Sequence, residues 1–257
     1  MASDMAWAKI FVDSGMADHD FNSAPFLLTA ETIKVSCQDF TKTGEKEVRI
    51  LCKQDSREDR PQVLKDNGLF ILPRHNGEFY VLKGEGYVDV PQITTEIQTY
   101  KSKLDFDLLS SRVGDSEMQH LDFAYANSLI RTFMQDPTLV LTIRGRKYTP
   151  PFDFRVGAFQ LGTVGVQTEV DAGYEGKDQI VLIEAKNSRT TNTIIRQLYY
   201  PYRQWKAETG KRVCPIFFEK RVEGGELIYY IWQYEFRDEL DYNSIYLARA
   251  QRFRIVT

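Results

Sequence analysis

Three charged residues near the middle of the chain lie at the ends of two otherwise apolar stretches. Asp171 ends the stretch 166–171, and Glu184 and Lys186 follow the apolar run 180–183. Side chains alternate along a β-strand, so Glu184 and Lys186 project from the same face if this run is a strand. Two carboxylates beside an ammonium group suit a hard divalent cation such as Mg²⁺, which prefers oxygen ligands and keeps several bound waters. The pattern therefore indicates metal-assisted hydrolysis.

The turn between the two stretches decides whether Asp171 can join this group. Residues 173–177 have the composition of a hairpin turn. If the paired residue numbers of the hairpin sum to an odd value, Asp171 and Glu169 share a face with Glu184. Asp171, Glu184 and the main-chain carbonyl of Ala185 could then hold Mg²⁺.

Lys186, two residues after Glu184, could orient or deprotonate the attacking water and screen the charge of a phosphodiester. The alternative is a structural ion pair at the end of a strand. A Glu-x-Lys triplet alone is a weak signal, because another one occurs at 175–177 in the turn, where charges are solvated. The second triplet follows a run that reads as buried, and burying a Glu and a Lys is costly without a purpose. The triplet alone still favours the ion pair, whereas the upstream Asp171 and the α, β, β, β, α, β order of the surrounding segments together favour a site.

Two further acids could take part in such a site. Asp153 lies on the preceding strand candidate and is the alternative upstream acid if the register of the hairpin slips. Its other interpretation is a polar residue on a strand face. Glu169 could assist a second metal ion or face the solvent. We prefer Asp171 because it lies on the strand that is hairpinned to Glu184.

The surrounding segments supply the elements that must position these residues. Ser116 can cap a helix whose apolar residues recur at steps of three and four before Pro137. Gly210 ends a second predicted helix. The predicted order is α, β, β, β, α, β with one extra strand, over approximately these ranges: helix 116–133, strands 152–161, 165–171 and 179–186, helix 191–208, and strands 213–218 and 227–236.

This arrangement resembles the PD-(D/E)XK nuclease superfamily, whose core is an α-β-β-β-α-β unit with an acid on the second strand and Glu/Asp-x-Lys on the third. The resemblance covers residues 116–236 and is greatest to type II restriction endonucleases with an N-terminal recognition region. It implies an α/β (α+β) fold around a central mixed sheet. It also implies that Asp171 and Glu184 are Mg²⁺ ligands and that Lys186 positions water or stabilises charge. Val170 stands where the family pattern has proline before the acid, which is a departure from that pattern.

The same resemblance suggests two supporting residues. Many members carry an acid on the first helix that reaches the metal through water, and Glu117 occupies that place; its alternative role is to interact with the helix dipole. The exonuclease branch carries a Gln followed four residues later by Tyr. Gln197 matches the Gln, whereas the tyrosines here fall two, three and five residues later. Gln197 is therefore assigned alone, as a positioning residue for Lys186.

The resemblance implies an endonuclease that hydrolyses phosphodiester bonds of double-stranded DNA at specific sequences, with Mg²⁺ as cofactor. A homodimer and a cognate DNA methyltransferase follow by analogy. The alternatives are a structure-specific repair or recombination nuclease and a non-catalytic DNA-binding module on a nuclease fold. Candidate contacts to phosphates or bases, each of which could alternatively be a solvated surface charge, are Arg144, Arg146, Lys147, Arg189, Arg196, Arg203, Arg57, Arg60, Arg74 and Lys83.

The first half of the chain has a different pattern. Short strand-like runs at 47–51 and 79–82, with several turns that contain Gly and Asn, predict a β-rich region. A helix is predicted over 94–109. We therefore expect an N-terminal β-rich domain at 1–112, which recognises DNA, and a nuclease domain at 113–257.

Composition limits the class of protein. The net charge is −3, but the charges are unevenly distributed. From Lys186 to the end there are 13 Lys or Arg and 8 Asp or Glu, whereas residues 1–185 contain 20 Lys or Arg and 28 Asp or Glu. A basic C-terminal third beside an acidic remainder fits a protein that meets a polyanion on one face. Three cysteines and three histidines show no disulfide or metal spacing. Without a signal peptide or an apolar stretch of about 20 residues, we expect a soluble cytoplasmic protein of a prokaryote, with no membrane partner.

Overall fold

The computed structural model describes residues 3–256 and shows a mixed α+β protein built around a large mixed β-sheet. The first part of the chain forms α1 (Asp4–Asp13), α2 (Ala30–Ser36), α3 (Thr43–Lys46), α4 (Val48–Leu51) and α5 (Gln62–Asp66), with β1 (Phe26–Thr29), β2 (Leu69–His75), β3 (Glu78–Lys83), β4 (Tyr87–Asp89) and β5 (Gln98–Lys101). The remainder forms α6 (Glu117–Ala126), α7 (Leu129–Met134) and α8 (Ile195–Thr209), with β6 (Val140–Tyr148), β7 (Phe152–Val156), β8 (Phe159–Thr163), β9 (Gln167–Glu175), β10 (Gln179–Lys186), β11 (Asn192–Ile194), β12 (Arg212–Glu223), β13 (Glu226–Phe236) and β14 (Ile245–Val256). No helix within residues 3–256 has the length and apolarity to span a membrane.

Seven strands form the central sheet in the order β5-β14-β13-β12-β10-β9-β6. β10 runs parallel to β12, and α8 makes the crossover between them, whereas β6, β9 and β10 are antiparallel neighbours. On one face, Phe133 of α7 packs in the same core as Ile183; on the other face, Leu198 of α8 packs with Trp232. β10 is therefore covered on both sides, which explains its unbroken apolar run 180–183.

The N-terminal part contains more helix than the predicted β-rich domain. Its three-stranded sheet, in the order β1-β3-β2, packs against α1, α2 and α5, and β3 confirms the strand predicted at 79–82. The strand predicted at 47–51 is wrong, because these residues form α4. Val48 and Leu51 are three residues apart, so a helical turn directs both towards the same core. The Leu51 carbonyl accepts a hydrogen bond from Trp7 Nε1 at 3.0 Å.

The helix predicted over 94–109 is also wrong. This stretch contains β5 and leads into a 3₁₀ turn at Leu109–Arg112. β5 pairs in parallel with β14 at the edge of the central sheet, so the β14 backbone satisfies the hydrogen-bonding groups of β5 that face it. A helix here would need a core to cover its apolar face, yet Phe106 is exposed.

The predicted strand 152–161 lies outside the central sheet and forms the hairpin β7–β8. Buried and exposed residues alternate along β7, a pattern that suits a one-sided hairpin better than a strand covered on both faces. Phe154 faces a second core that includes tyrosines of α8. The strand that pairs with β9 in its place is β6, and Arg144, Arg146 and Lys147 lie on this strand.

The two helices predicted for the C-terminal part are present with altered limits. The first is split into α6 and α7, because Ser128 adopts a left-handed φ of 61°. Asn127 ends α6 by donating a hydrogen bond to the Phe123 carbonyl at 2.8 Å. α8 begins at Ile195, since the preceding residues form β11 and pair with β4, and it ends before Gly210 as predicted.

Candidate active site

The two strands predicted on either side of the hairpin turn are β9 and β10, and they form an antiparallel pair. Their pairing ends at Ile183 and Ala172, so the paired residue numbers sum to an odd value. One further step along the strands leads to Glu184 and Asp171. The register required for these two carboxylates to meet is therefore confirmed.

A β-bulge lies at the upstream acid. Relative to β6, β9 carries one extra residue between Val170 and Gly173. Val170 packs in the core beneath α8, whereas Ala172 packs on the opposite face, beneath α6. The alternation of side chains between the two faces of the sheet is thus broken at Asp171. This residue has no pairing partner in the described ladders of β9 with β10 and with β6. Bulges often occur next to active sites, where they redirect a side chain.

The Asp171 carboxylate is held by the main chain of the neighbouring strand. Its Oδ2 accepts a hydrogen bond from Ala185 N at 2.7 Å, and its Oδ1 has no partner among the described residues. Burial raises the pKa of Asp171, and the Ala185 N–H opposes this rise by favouring the carboxylate. The N–H and C=O of one strand residue point to the same side, so the Ala185 carbonyl also faces Asp171.

Glu184 and Lys186 form a close ion pair on β10. Lys186 Nζ lies 2.6 Å from Glu184 Oε1, and Glu184 is only 9% exposed. Burial raises the pKa of Glu184 to about 7, although the lysine ammonium opposes this rise. Burial also disfavours the Lys186 ammonium, but the Glu184 carboxylate outweighs this effect and raises the pKa of the lysine. Lys186 therefore stays protonated at neutral pH.

Gln197 holds the same oxygen of Glu184 from the first turn of α8. Its Nε2 donates to Glu184 Oε1 at 2.9 Å, and its own Oε1 accepts from Thr193 Oγ1 at 2.9 Å. Gln197 therefore reaches Lys186 through the shared carboxylate. With Oε1 so occupied, Glu184 Oε2 has no hydrogen-bond partner in the part of the chain that the structure describes. Thr193 was not predicted, because no spacing in the sequence links it to Glu184.

Glu117 begins α6 close to this cluster. Ser116 caps the helix as predicted, since its hydroxyl accepts a hydrogen bond from Gln119 N at 3.2 Å. Glu117 is half-buried, and after burial and the Glu184 carboxylate it is the next influence on the pKa of Lys186, which it raises. The acid expected on the first helix thus lies within electrostatic range of the lysine.

These atoms make a small set of oxygen donors. They are Asp171 Oδ1, from the bulge in the middle of β9, and Glu184 Oε2 and the Ala185 carbonyl, from the carboxyl end of the neighbouring β10. Within residues 3–256, no group of three or more His, Cys, Asp and Glu side chains could hold a metal ion. A cation here would therefore rest on two carboxylates, one main-chain carbonyl, and oxygens of water or substrate. This donor set fits Mg²⁺.

The two alternative acids lie in positions that are less suitable than that of Asp171 for joining Glu184. Asp153 is exposed on the hairpin β7–β8, outside the central sheet. Glu169 lies on β9, but its side chain is 57% exposed and pairs with Arg146 at 3.3 Å. The structure therefore favours Asp171 as the acid beside Glu184.

Most of the arginines and lysines predicted to contact DNA have partners within the protein. These partners are Asp89 and Glu85 for Arg57, the Leu69 carbonyl for Arg60, Glu78 for Arg74, Asn22 for Lys83, Asp122 for Arg144, Glu169 for Arg146, Gln92 for Arg189, and the Tyr199 hydroxyl for Arg203. Lys147 is exposed on β6, and Arg196 is half-buried near Tyr200. Contacts of these residues with DNA stay a prediction.

A polar cluster that no spacing in the sequence indicates lies next to the site. Asp115 Oδ1 lies 2.6 Å from His120 Nε2 and also binds the buried Lys220, while its carbonyl accepts from Asn187 Nδ2 at 2.6 Å. The cluster joins the start of α6 to β12 and to the residue after Lys186. Asn187 and Lys220 are far from Asp115 in the sequence, so only tertiary folding brings them to it.

Comparison with known families covers almost the whole chain. A model described as "Domain of unknown function (DUF6997)" matches residues 82–254, and one described as "Domain of unknown function (DUF6996)" matches residues 4–81. Because the first match spans more than half of the chain, the protein belongs to the DUF6997 family. No curated protein and no solved structure matches the chain. The predicted domain boundary between residues 112 and 113 stays a prediction.

Proposed function

We propose that the protein is a Mg²⁺-dependent endonuclease that hydrolyses phosphodiester bonds of double-stranded DNA at specific sequences, as type II restriction enzymes do. The observation that carries the proposal is the meeting of Asp171, at the bulge of β9, with the Glu184–Lys186 pair at the carboxyl end of β10. Each carboxylate has one oxygen fixed by the protein and one oxygen open. A structural ion pair between Glu184 and Lys186 would not require a second buried carboxylate at this point.

The topology supports the same proposal. The neighbouring strands β6, β9, β10 and β12, with α6 before β6 and α8 between β10 and β12, follow the α-β-β-β-α-β order of the PD-(D/E)XK core. On this reading the hairpin β7–β8 is an insertion, and β13, β14 and β5 extend the sheet. Glu184 and Lys186 stand at the carboxyl end of β10, which is where open α/β sheets commonly bind ligands.

Each residue of the cluster has a role in this reaction. Asp171, Glu184 and the Ala185 carbonyl would hold Mg²⁺, which when bound supplies Lewis acidity and lowers the pKa of a coordinated water. Lys186 donates hydrogen bonds towards the scissile phosphate or the attacking water, and its charge offsets the negative charge that develops there. Its raised pKa favours this electrostatic role over that of a base. Gln197 keeps the Glu184 carboxylate in one orientation.

The basic residues of β6 would meet the DNA backbone beside the cluster. β6 is the neighbour of β9, and Arg146 pairs there with the exposed Glu169, so a phosphate could replace that carboxylate. The N-terminal region would recognise the sequence, and a homodimer would cut both strands. A cognate methyltransferase would protect the DNA of the host, a prokaryote in whose cytoplasm the enzyme would act.

Cleavage of unmethylated plasmid or phage DNA tests this proposal. Lys186→Ala is the test variant, and Lys177→Ala, in the Glu-x-Lys triplet of the turn, is its matched control. With Mg²⁺, we expect discrete bands from the wild type and from K177A, and cleavage at least about a hundredfold slower from K186A. EDTA should stop the reaction.

Other outcomes would change the proposed function. A smear instead of bands would indicate a nuclease that recognises DNA structure rather than sequence. No cleavage, together with salt-dependent DNA binding, would indicate a non-catalytic binding module. If K186A cleaved DNA as fast as K177A, Lys186 would have no part in the active site.

A further inference from the structure

The N-terminal loop, residues 53–60, is fastened to β11 just before α8. Asn192 is only 3% exposed, and its side chain makes two hydrogen bonds to this loop. Its Oδ1 accepts from Arg57 N at 2.7 Å, and its Nδ2 donates to Glu58 Oε2 at 2.9 Å. The loop also accepts from the β11 backbone, since Ile194 N donates to the Asp55 carbonyl at 2.9 Å.

The opposite edge of β11 is held by the same part of the chain. β4 pairs with β11 in an antiparallel ladder, in which Asn192 stands opposite Asp89. The Arg57 side chain crosses from the loop to this ladder, where it binds the Asp89 carboxylate and the Tyr87 carbonyl. The strand β11 is therefore clamped between two segments of the N-terminal half.

Thr193, the middle residue of β11, connects the clamped strand to the candidate site. It is 1% exposed, and its hydroxyl donates to Gln197 Oε1 at 2.9 Å. An amide group that accepts at its oxygen has its NH₂ end oriented at the same time. That end of Gln197 donates to Glu184 Oε1 at 2.9 Å. The hydrogen bonds thus run without a gap from β11 to Glu184.

We propose that Thr193 is a positioning residue that orients Gln197 against Glu184, and that the N-terminal loop sets the place of Thr193 through Asn192. The inference rests on the proposed function for its catalytic meaning, while the hydrogen-bonded arrangement itself can be tested without DNA. It connects the region assigned to DNA recognition with a metal-binding carboxylate. Groups that orient a metal ligand in this way commonly change metal affinity when they are lost.

The side-chain amide of Gln197 provides a direct measurement. In a ¹⁵N–¹H correlation spectrum without metal, its two N–H protons should give signals displaced from the pair of a free glutamine side chain, and the spectrum of Gln197→Ala identifies them by their loss. Thr193→Val should shift these signals towards the two positions of a free glutamine side chain, and Thr193→Ser, which keeps the hydroxyl, should preserve them. Asn192→Ala should move them in the same direction as T193V.

The dependence of DNA cleavage on Mg²⁺ concentration provides the second measurement. We expect T193V to raise the half-saturating concentration about tenfold and T193S to stay within about twofold of the wild type. Gln197→Ala should match T193V, and the double variant should be no worse than either single variant. Thr163→Val is the control, because it removes an equally buried hydroxyl that donates to the Arg74 carbonyl far from Glu184.

The two measurements separate failure of this inference from failure of the proposed function. Gln197 signals that T193V leaves unchanged would overturn the positioning role, whatever the cleavage assay gives. If T193V does not fold, the wild-type spectrum still decides, because Gln197 signals at the free-glutamine positions in the wild type would also overturn it. The expected spectra from a protein that cuts no DNA would support the positioning of Glu184 and contradict the nuclease.

Discussion

Replacing Glu184 with glutamine should remove a pH dependence from the stability of the protein. Burial raises the pKa of this carboxyl to about 7, from an ordinary value of 4.5. Between these two values the folded protein holds a proton that the unfolded chain has lost. The wild-type free energy of unfolding therefore receives its largest contribution from Glu184 at low pH, and this contribution falls as the pH rises towards 7.

The size of the effect follows from the shift in pKa. Each pKa unit corresponds to about 1.4 kcal/mol, so the contribution of Glu184 should change by about 3 kcal/mol between pH 4.5 and pH 8. In E184Q the amide oxygen can still accept from Gln197 and Lys186.

Urea unfolding from pH 4.5 to pH 8, without metal, measures this slope for the wild type and E184Q. Glu175→Gln is the control for removal of one negative charge. Glu175 is also a strand residue paired with a lysine, Lys211, at 2.6 Å, but its side chain is 41% exposed. We expect the stability of E184Q relative to the wild type to rise by about 3 kcal/mol across the range.

Parallel curves for the wild type and E184Q would refute the reasoning, because they would mean that Glu184 titrates alike in the folded and unfolded chain.

Addition of Mg²⁺ at pH 8 provides an independent measurement of the role of Glu184. A ligand that binds only the folded state at a hundred times its dissociation constant stabilises that state by about 2.7 kcal/mol. The wild type should gain this stability and E184Q should gain much less.

Three further predictions concern the surroundings of the site. Asp171→Asn keeps an oxygen for the Ala185 N–H, so the variant should fold, while its affinity for Mn²⁺ in calorimetry should fall at least about tenfold; unchanged affinity would exclude Asp171 as a ligand. Gly86→Ala would place a Cβ 2.2 Å from the buried Phe70 ring, which should lower the unfolding free energy in urea by about 1–3 kcal/mol. Gly44→Ala, with nothing within 4 Å, is the control, and an equal effect of both would contradict the packing argument. Ser116→Ala removes the cap of α6 and should cost about 1 kcal/mol in the same experiment; no change would mean that the cap does not contribute.

Local patterns account for the parts of the fold that were predicted well. Gly210 follows α8 with a φ of 67°, a conformation that glycine adopts easily, and the helix ends where the sequence indicates. The strands predicted at 213–218 and 227–236 lie within β12 and β13. Their apolar runs are long enough to identify a buried strand without knowledge of its neighbours.

The predictions that failed depended on which segment pairs with which. The run 152–161 has strand character, but the sequence does not state that β6, rather than this run, would pair with β9. Likewise, 94–109 has helical spacing that pairing with β14 overrides. Residues 47–51 have the β-branched composition of a strand, but helical geometry directs Val48 and Leu51 into one core.

The sequence by itself determined which groups could do chemistry: an acid before the turn, and Glu184 and Lys186 on one face of a buried strand, because strand alternation is local. Only the tertiary structure decided how these groups are oriented. The bulge at Asp171 arises from unequal pairing with β6, and the hydrogen bonds from Arg57 to Asn192 and from Gln197 to Glu184 join segments that are distant in the sequence. No local pattern records such contacts, since they form only when the strands and helices pack together.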